Sequence, residues 1–146
     1  MSHGPILLVE DNKNDVALTI RALKKNKIEN DLIVMHDGSE ALDYLLGAGD
    51  GVSPRRVPWI ILLDLKLPRI DGLQTLARLR ASEPTMLIPV IILSSSNEES
   101  DVIASYRLGA NSFVRKPTSF VEFTKTIEKL HVYWLVNEVA PVRRTS

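Results

Sequence analysis

Trp59-Ile60-Ile61-Leu62-Leu63-Asp64-Leu65-Lys66-Leu67-Pro68-Arg69-Ile70-Asp71-Gly72 is the stretch on which the fold turns. Its first half is an unbroken apolar run, which predicts a strand buried on both faces, as in a parallel sheet covered by helices. The run ends on a single carboxylate, Asp64, and the chain then turns through Pro68 into an Asp71-Gly72 helix start. Open α/β sheets place their chemistry at the carboxyl ends of the strands. Asp64 is therefore the first candidate functional residue.

On the upstream side, Pro5 to Val9 is a second apolar run, bounded by Gly4 and by Glu10-Asp11, and reads as another buried strand. Asn12 and Asn14 offer N-caps for a helix in which Ala17, Ile20 and Leu23 recur at helical spacing up to Lys24-Lys25. Leu32-Ile33-Val34-Met35 is a further strand. Asp37-Gly38-Ser39 opens a helix holding Ala41, Leu42 and Leu45, and Gly47 is placed to end it. Ala48 to Pro58, rich in Gly, Pro and Arg and long for a helix-to-strand connection, is a surface insertion or contact loop.

Downstream, Asp71 caps a helix with Leu73, Leu76 and Leu79 on one face, and Pro89 to Leu93 forms the fourth strand. Ser96 and Glu99 make a capping box for a helix that buries Val102 or Ile103 with Tyr106 and stops at Gly109. Ser112-Phe113-Val114 is the fifth strand, ending at Lys116-Pro117. Ser119 and Glu122 make a second box, opening a long helix that carries Phe120, Phe123, Ile127, Leu130 and Trp134. Strict β-α alternation with right-handed crossovers predicts an α/β fold, a doubly wound (βα)5 flavodoxin-like parallel sheet in the order 2-1-3-4-5. It forms one domain over residues 1–137, followed by a tail at 138–146.

Composition narrows the function. With 45% hydrophobic and 25% charged residues the chain is globular rather than disordered. Eighteen basic and eighteen acidic residues cancel, and no long basic stripe appears, which disfavours direct nucleic-acid binding. There is no cysteine, so disulfides and thiolate metal sites are excluded. No apolar run approaches membrane-spanning length, and a cytoplasmic setting fits best.

The order 2-1-3-4-5 would bring Glu10, Asp11 and Asp64 to one crevice. Any one of them is equally well an ordinary acid at a strand end or helix N-terminus. Three together repel, and a hard divalent cation relieves the repulsion; magnesium suits few carboxylates with room for phosphate oxygens. Ser94 ends the fourth strand and Lys116 the fifth, so both reach the same rim. A hydroxyl and an ammonium facing an acid and a cation are what a phosphoryl group needs.

Four segments resemble the receiver domain of bacterial two-component response regulators, across nearly the whole chain. They are V-E-D-N at Val9–Asn12, L-L-D-L-K-L-P-R-I-D-G at Leu62–Gly72, V-I-I-L-S-S at Val90–Ser95 and G-A-N-S-F-V-R-K-P at Gly109–Pro117. The resemblance implies Asp64 as phosphoacceptor, and Glu10 and Asp11 as magnesium-site acids with the backbone carbonyl of Lys66. It implies Ser94 as switch hydroxyl, Lys116 as the site lysine with a typically cis peptide to Pro117, and Phe113 at the aromatic switch position. Lys66 and Ser96 fall where receivers tune dephosphorylation.

These roles imply a single-domain regulator that takes a phosphoryl group from a sensor histidine kinase and signals through its fourth helix, fifth strand and fifth helix. Such a protein is not a turnover enzyme. His131 to Val136 place apolar groups around most of the last helix, which points to a homodimer through Tyr133 and Trp134 rather than extra packing within the monomer. The long loop and the Y-W-L extension are similar to the single-domain regulators paired with bacterial phytochromes; chemotaxis and phosphorelay types stay open. An alternative is a pseudo-receiver acting only as a dimerisation or interaction module. A haloacid-dehalogenase-type phosphatase would need an acid where Lys66 stands, and an FMN protein a Ser/Thr/Gly-rich loop in place of Glu10-Asp11-Asn12-Lys13.

Overall fold

The computed structural model describes residues 4–47, 56–116 and 119–136. Its strands are β1 (Ile6–Val9), β2 (Leu32–Met35), β3 (Ile60–Asp64), β4 (Val90–Ser94) and β5 (Ser112–Arg115). They alternate with helices α1 (Lys13–Lys25), α2 (Gly38–Leu46), α3 (Gly72–Arg80), α4 (Glu99–Arg107) and α5 (Phe120–Val136). All pairings are parallel, in the order β2-β1-β3-β4-β5. This is the doubly wound sheet expected from the sequence.

Every residue of β1, β3 and β4 is buried, whereas the edge strands β2 and β5 are half-buried or exposed. Alternation sends Leu7, Ile61, Leu63 and Ile92 toward Leu42 and Leu45 of α2 and Leu76 and Leu79 of α3. Ile6, Ile60, Leu62 and Ile91 face the other way, onto Leu23 of α1 and Phe123 and Ile127 of α5. Helix starts follow the sequence: Asn12, Asp37 and Asp71 accept the backbone N–H groups of Asp15, Glu40 and Gln74. Ser119 does the same for Glu122. Among the described residues no helix is long and apolar enough to cross a membrane.

Two readings of α4 are corrected. Ser96 and Glu99 do not form a capping box: the cap position is Glu98, without a side-chain cap bond. The Ser96 hydroxyl instead accepts from Glu98 N–H at 3.1 Å and donates to Asp101 Oδ2 at 2.6 Å. A helix that begins at Glu99 starts too late for Ser96 to cap it, and nearer partners occupy the hydroxyl. Ile103 and Tyr106 are 45% and 50% exposed rather than buried, and Val102 is half-buried. The fully buried residue of α4 is Ser105, whose hydroxyl donates to Asp101 O at 2.7 Å and so needs no partner in the core. Tyr106 lies over the edge strand, its hydroxyl accepting Phe113 N–H at 3.1 Å.

Candidate functional site

Because β1 and β3 are neighbours, with Val9 opposite Leu63, the residues after Val9 and Leu63 emerge side by side. Carboxylate oxygens of Glu10, Asp11 and Asp64 lie within 4.8 Å of one another. Glu10 and Asp64 are buried, 2% and 8% exposed, while Asp11 faces solvent. Burial pushes the Glu10 carboxyl up to about 7, against the hydrogen bond from Lys116, and the Asp64 charge adds to the rise. Burial also raises Asp64, against the attraction of Lys116 and a hydrogen bond from Glu10. Desolvation of two adjacent acids outweighs the nearby ammonium.

Lys116 enters from the end of β5, where its backbone N–H donates to Ser94 O at 2.8 Å. Its ammonium donates to Glu10 Oε1 at 2.5 Å and to Asp15 Oδ2 at 2.9 Å, and lies 3.7 Å from Asp64 Oδ1. Burial alone would lower the Lys116 pKa; hydrogen bonds to Glu10 and Asp15 and the charge of Asp64 raise it instead. Lys116 is therefore held protonated between these carboxylates. Asp15 was missed by that reading. Three residues past the Asn12 cap, it lies in the first turn of α1, and only the fold carries Lys116 to it.

Ser94 is 1% exposed and ends the strand beside β3, and its hydroxyl accepts Ser96 N–H at 3.0 Å. Phe113 is partly buried against the core on the α2/α3 side of the sheet. Lys66 sits exposed in the loop after β3, and Ser96 is buried. Tyr133 and Trp134 lie on α5, but their side chains fall outside the described residues, as do residues 48–55 and the peptide to Pro117.

Gly72 holds the site loop closed. Its N–H donates to Leu65 O at 2.8 Å, and a Cβ there would stand 2.2 Å from Asp64 O and 2.6 Å from Leu65 Cα. Both are backbone atoms and cannot rotate aside. Gly72→Ala is expected to cost on the order of 1–3 kcal/mol in urea unfolding by displacing the backbone that carries Asp64. An unchanged unfolding midpoint would show that the loop yields freely.

The donor set fits a hard divalent cation. It is all carboxylate, with two desolvated acids carrying unfavourable charge and one open to water. Such a set can hold magnesium or manganese, with the Lys116 ammonium beside it.

Known proteins of similar sequence and fold cover nearly the whole chain. Response regulator Rcp1 of Synechocystis sp. is 38% identical over 136 residues, covering 93% of this chain and 92% of its own. The solved Mn(2+)-bound form of Rcp1 superposes with a TM-score of 0.82, over 95% of this chain and 99% of that one. The phosphorylated cyanobacterial phytochrome response regulator RcpA gives a TM-score of 0.84 at 33% identity, over 96% of this chain and 100% of its own. The bacteriophytochrome response regulator RtBRR is 47% identical, with a TM-score of 0.74 over 97% of this chain and 85% of that one. Residues 6–128 match the family described as the response regulator receiver domain, a span that runs from the first strand into the last helix. The acid-lined crevice thus lies inside the matched region, and this chain belongs to the response regulator receiver domain family.

Proposed function

We propose that this protein is a phosphoacceptor response regulator in which Asp64 takes a phosphoryl group from a phosphohistidine on a sensor histidine kinase. The observation that carries the reading is Asp64, buried at the end of β3, with Lys116 Nζ 3.7 Å from its Oδ1 and two more acids beside it. A carboxylate oxygen of Asp64 forms the new O–P bond while the P–N bond breaks, and that electron pair stays on the imidazole nitrogen, which takes up a proton. Glu10, Asp11, Asp64 and the backbone carbonyl of Lys66 would hold Mg2+. Bound there, the ion supplies positive charge to the acids and to the phosphoryl oxygens.

Lys116 neutralises a phosphoryl oxygen from the β5 side, and the Ser94 hydroxyl, released from Ser96 N–H, donates to another. Withdrawal of Ser94 leaves room for Phe113 to turn inward, which biases the α4-β5-α5 surface between two states. Similarity to the cyanobacterial phytochrome response regulator RcpA and the bacteriophytochrome response regulator RtBRR supports a phytochrome as the kinase partner. Pairing of two copies through α5, with Tyr133 and Trp134, completes the reading. A pseudo-receiver has less support, because three acids and a lysine stand together at the strand ends.

Acetyl phosphate with Mg2+ is expected to add one phosphoryl group, mapped by borohydride trapping and mass spectrometry to the peptide holding Asp64. No adduct, or an adduct on another residue, overturns the assignment. Transfer from a phosphorylated phytochrome kinase, read with a radiolabel against other histidine kinases, tests the partner.

A further inference from the structure

Lys116 is held by more than the acids of the proposed cation site. Its ammonium donates to Asp15 Oδ2 at 2.9 Å as well as to Glu10 Oε1 at 2.5 Å. Asp15 is fixed in turn: its N–H donates to Asn12 Oδ1 at 3.0 Å, and its carbonyl accepts the buried Thr19 hydroxyl at 2.8 Å. Asn12 N–H donates to Glu10 Oε2 at 3.2 Å, which closes a ring of hydrogen bonds from Glu10 through Asn12 and Asp15 to Lys116. Asp15 stands outside the Glu10-Asp11-Asp64 group. Among the described residues, its carboxylate meets Lys116 alone.

We infer that Asp15 is a positioning residue that, with Glu10, occupies two of the three Lys116 N–H donors and leaves the third for an oxygen carried by Asp64. This rests on the reading that Asp64 accepts the phosphoryl group. An ammonium on a flexible four-carbon stem has no preferred direction of its own. Two short bonds to carboxylates, one just past β1 and one on α1, give it one. The gap of 3.7 Å to Asp64 Oδ1 is too long for a hydrogen bond, so the remaining donor is not spent on the nucleophile. It is available when charge builds on the transferring group, and the cost of ordering the side chain has been met during folding.

The step tested is phosphoryl transfer from acetyl phosphate. The Asp64 oxygen bonds to phosphorus, the bond from phosphorus to the acyl oxygen breaks, and the electron pair leaves on acetate. Asp15→Asn in the full chain with Mg2+ is expected to lower the initial labelling rate about tenfold, the size of one weakened charge-assisted hydrogen bond. Asp15→Glu should recover part of the rate. Mn2+ affinity, measured by electron paramagnetic resonance, should stay within about twofold of wild type, since no proposed cation ligand has changed.

In a Lys116→Ala background Asp15→Asn should add no further loss, because the group it positions is gone. Labelling of Asp15→Asn at the wild-type rate overturns the inference, as does an equal fold-loss in the Lys116→Ala background, which would mark a general effect on α1. Both results leave Asp64 as phosphoacceptor. A wild-type protein left unlabelled removes that reading and this inference together.

Discussion

Asp64→Asn is expected to lose acyl-phosphate labelling by at least about a hundredfold while melting at a higher temperature than the wild type. The loss follows from chemistry: an amide oxygen of similar shape is a poor nucleophile and brings no charge to the crevice. The gain follows from the electrostatics of the site. Burial raises the Asp64 pKa against the pull of Lys116, so folding works against its ionised form, and a neutral side chain relieves that cost. Glu10 gains as well, because the Asp64 charge is one of the causes of its own raised pKa. Both halves are measurable on one sample, by intact mass after acetyl phosphate and by a thermal melt in chelator. Residual labelling near the wild-type level would remove Asp64 as acceptor. A lower melting temperature would show that the Lys116 contact outweighs desolvation.

The second large effect is a pH dependence. Freed of divalent cations, the protein is expected to lose stability as pH rises from about 4.5 to about 7, with Glu10 contributing on the order of 3 kcal/mol of that loss. Glu10 has an ordinary value of 4.5 and a folded value of about 7. Between those limits the folded protein holds a proton that the unfolded chain has released, so raising the pH favours unfolding. Below the window both states are protonated and Glu10 contributes no penalty; above it the full penalty is present.

A cation bound to the ionised acids would relieve that penalty, so Mg2+ should raise the urea midpoint more at pH 8 than at pH 5. Glu10→Gln should flatten the pH profile and thereby separate this residue from others that titrate in the same range. A wild-type profile in chelator that is already flat, or equal Mg2+ stabilisation at both pH values, contradicts the assignment of Glu10.

Both effects arise because the sheet buries acids, and that burial was legible in the residues. The apolar runs before Glu10 and before Asp64 announced strands covered on both faces. Strict alternation with helices left few ways to order five parallel strands, so the crevice and its three acids followed. The caps at Asn12, Asp37 and Asp71 were equally visible, because an N-cap is a local bond between residues three apart.

Other features belong to the tertiary structure alone. Ser96 carries the right spacing for a capping box, yet α4 starts two positions beyond what that pattern demands, and the hydroxyl goes to Glu98 and Asp101. Tyr106 is a large aromatic yet lies half exposed, while the buried residue of α4 is Ser105. Asp15 meets Lys116 across 101 positions of sequence. The hydrophobic pattern determined the strands, their burial and the acids at their ends, because period and polarity act on the chain locally. Only packing decided the rotation of α4 and the pairing of Asp15 with Lys116, because each depends on where the sheet sets distant backbones within a few ångströms.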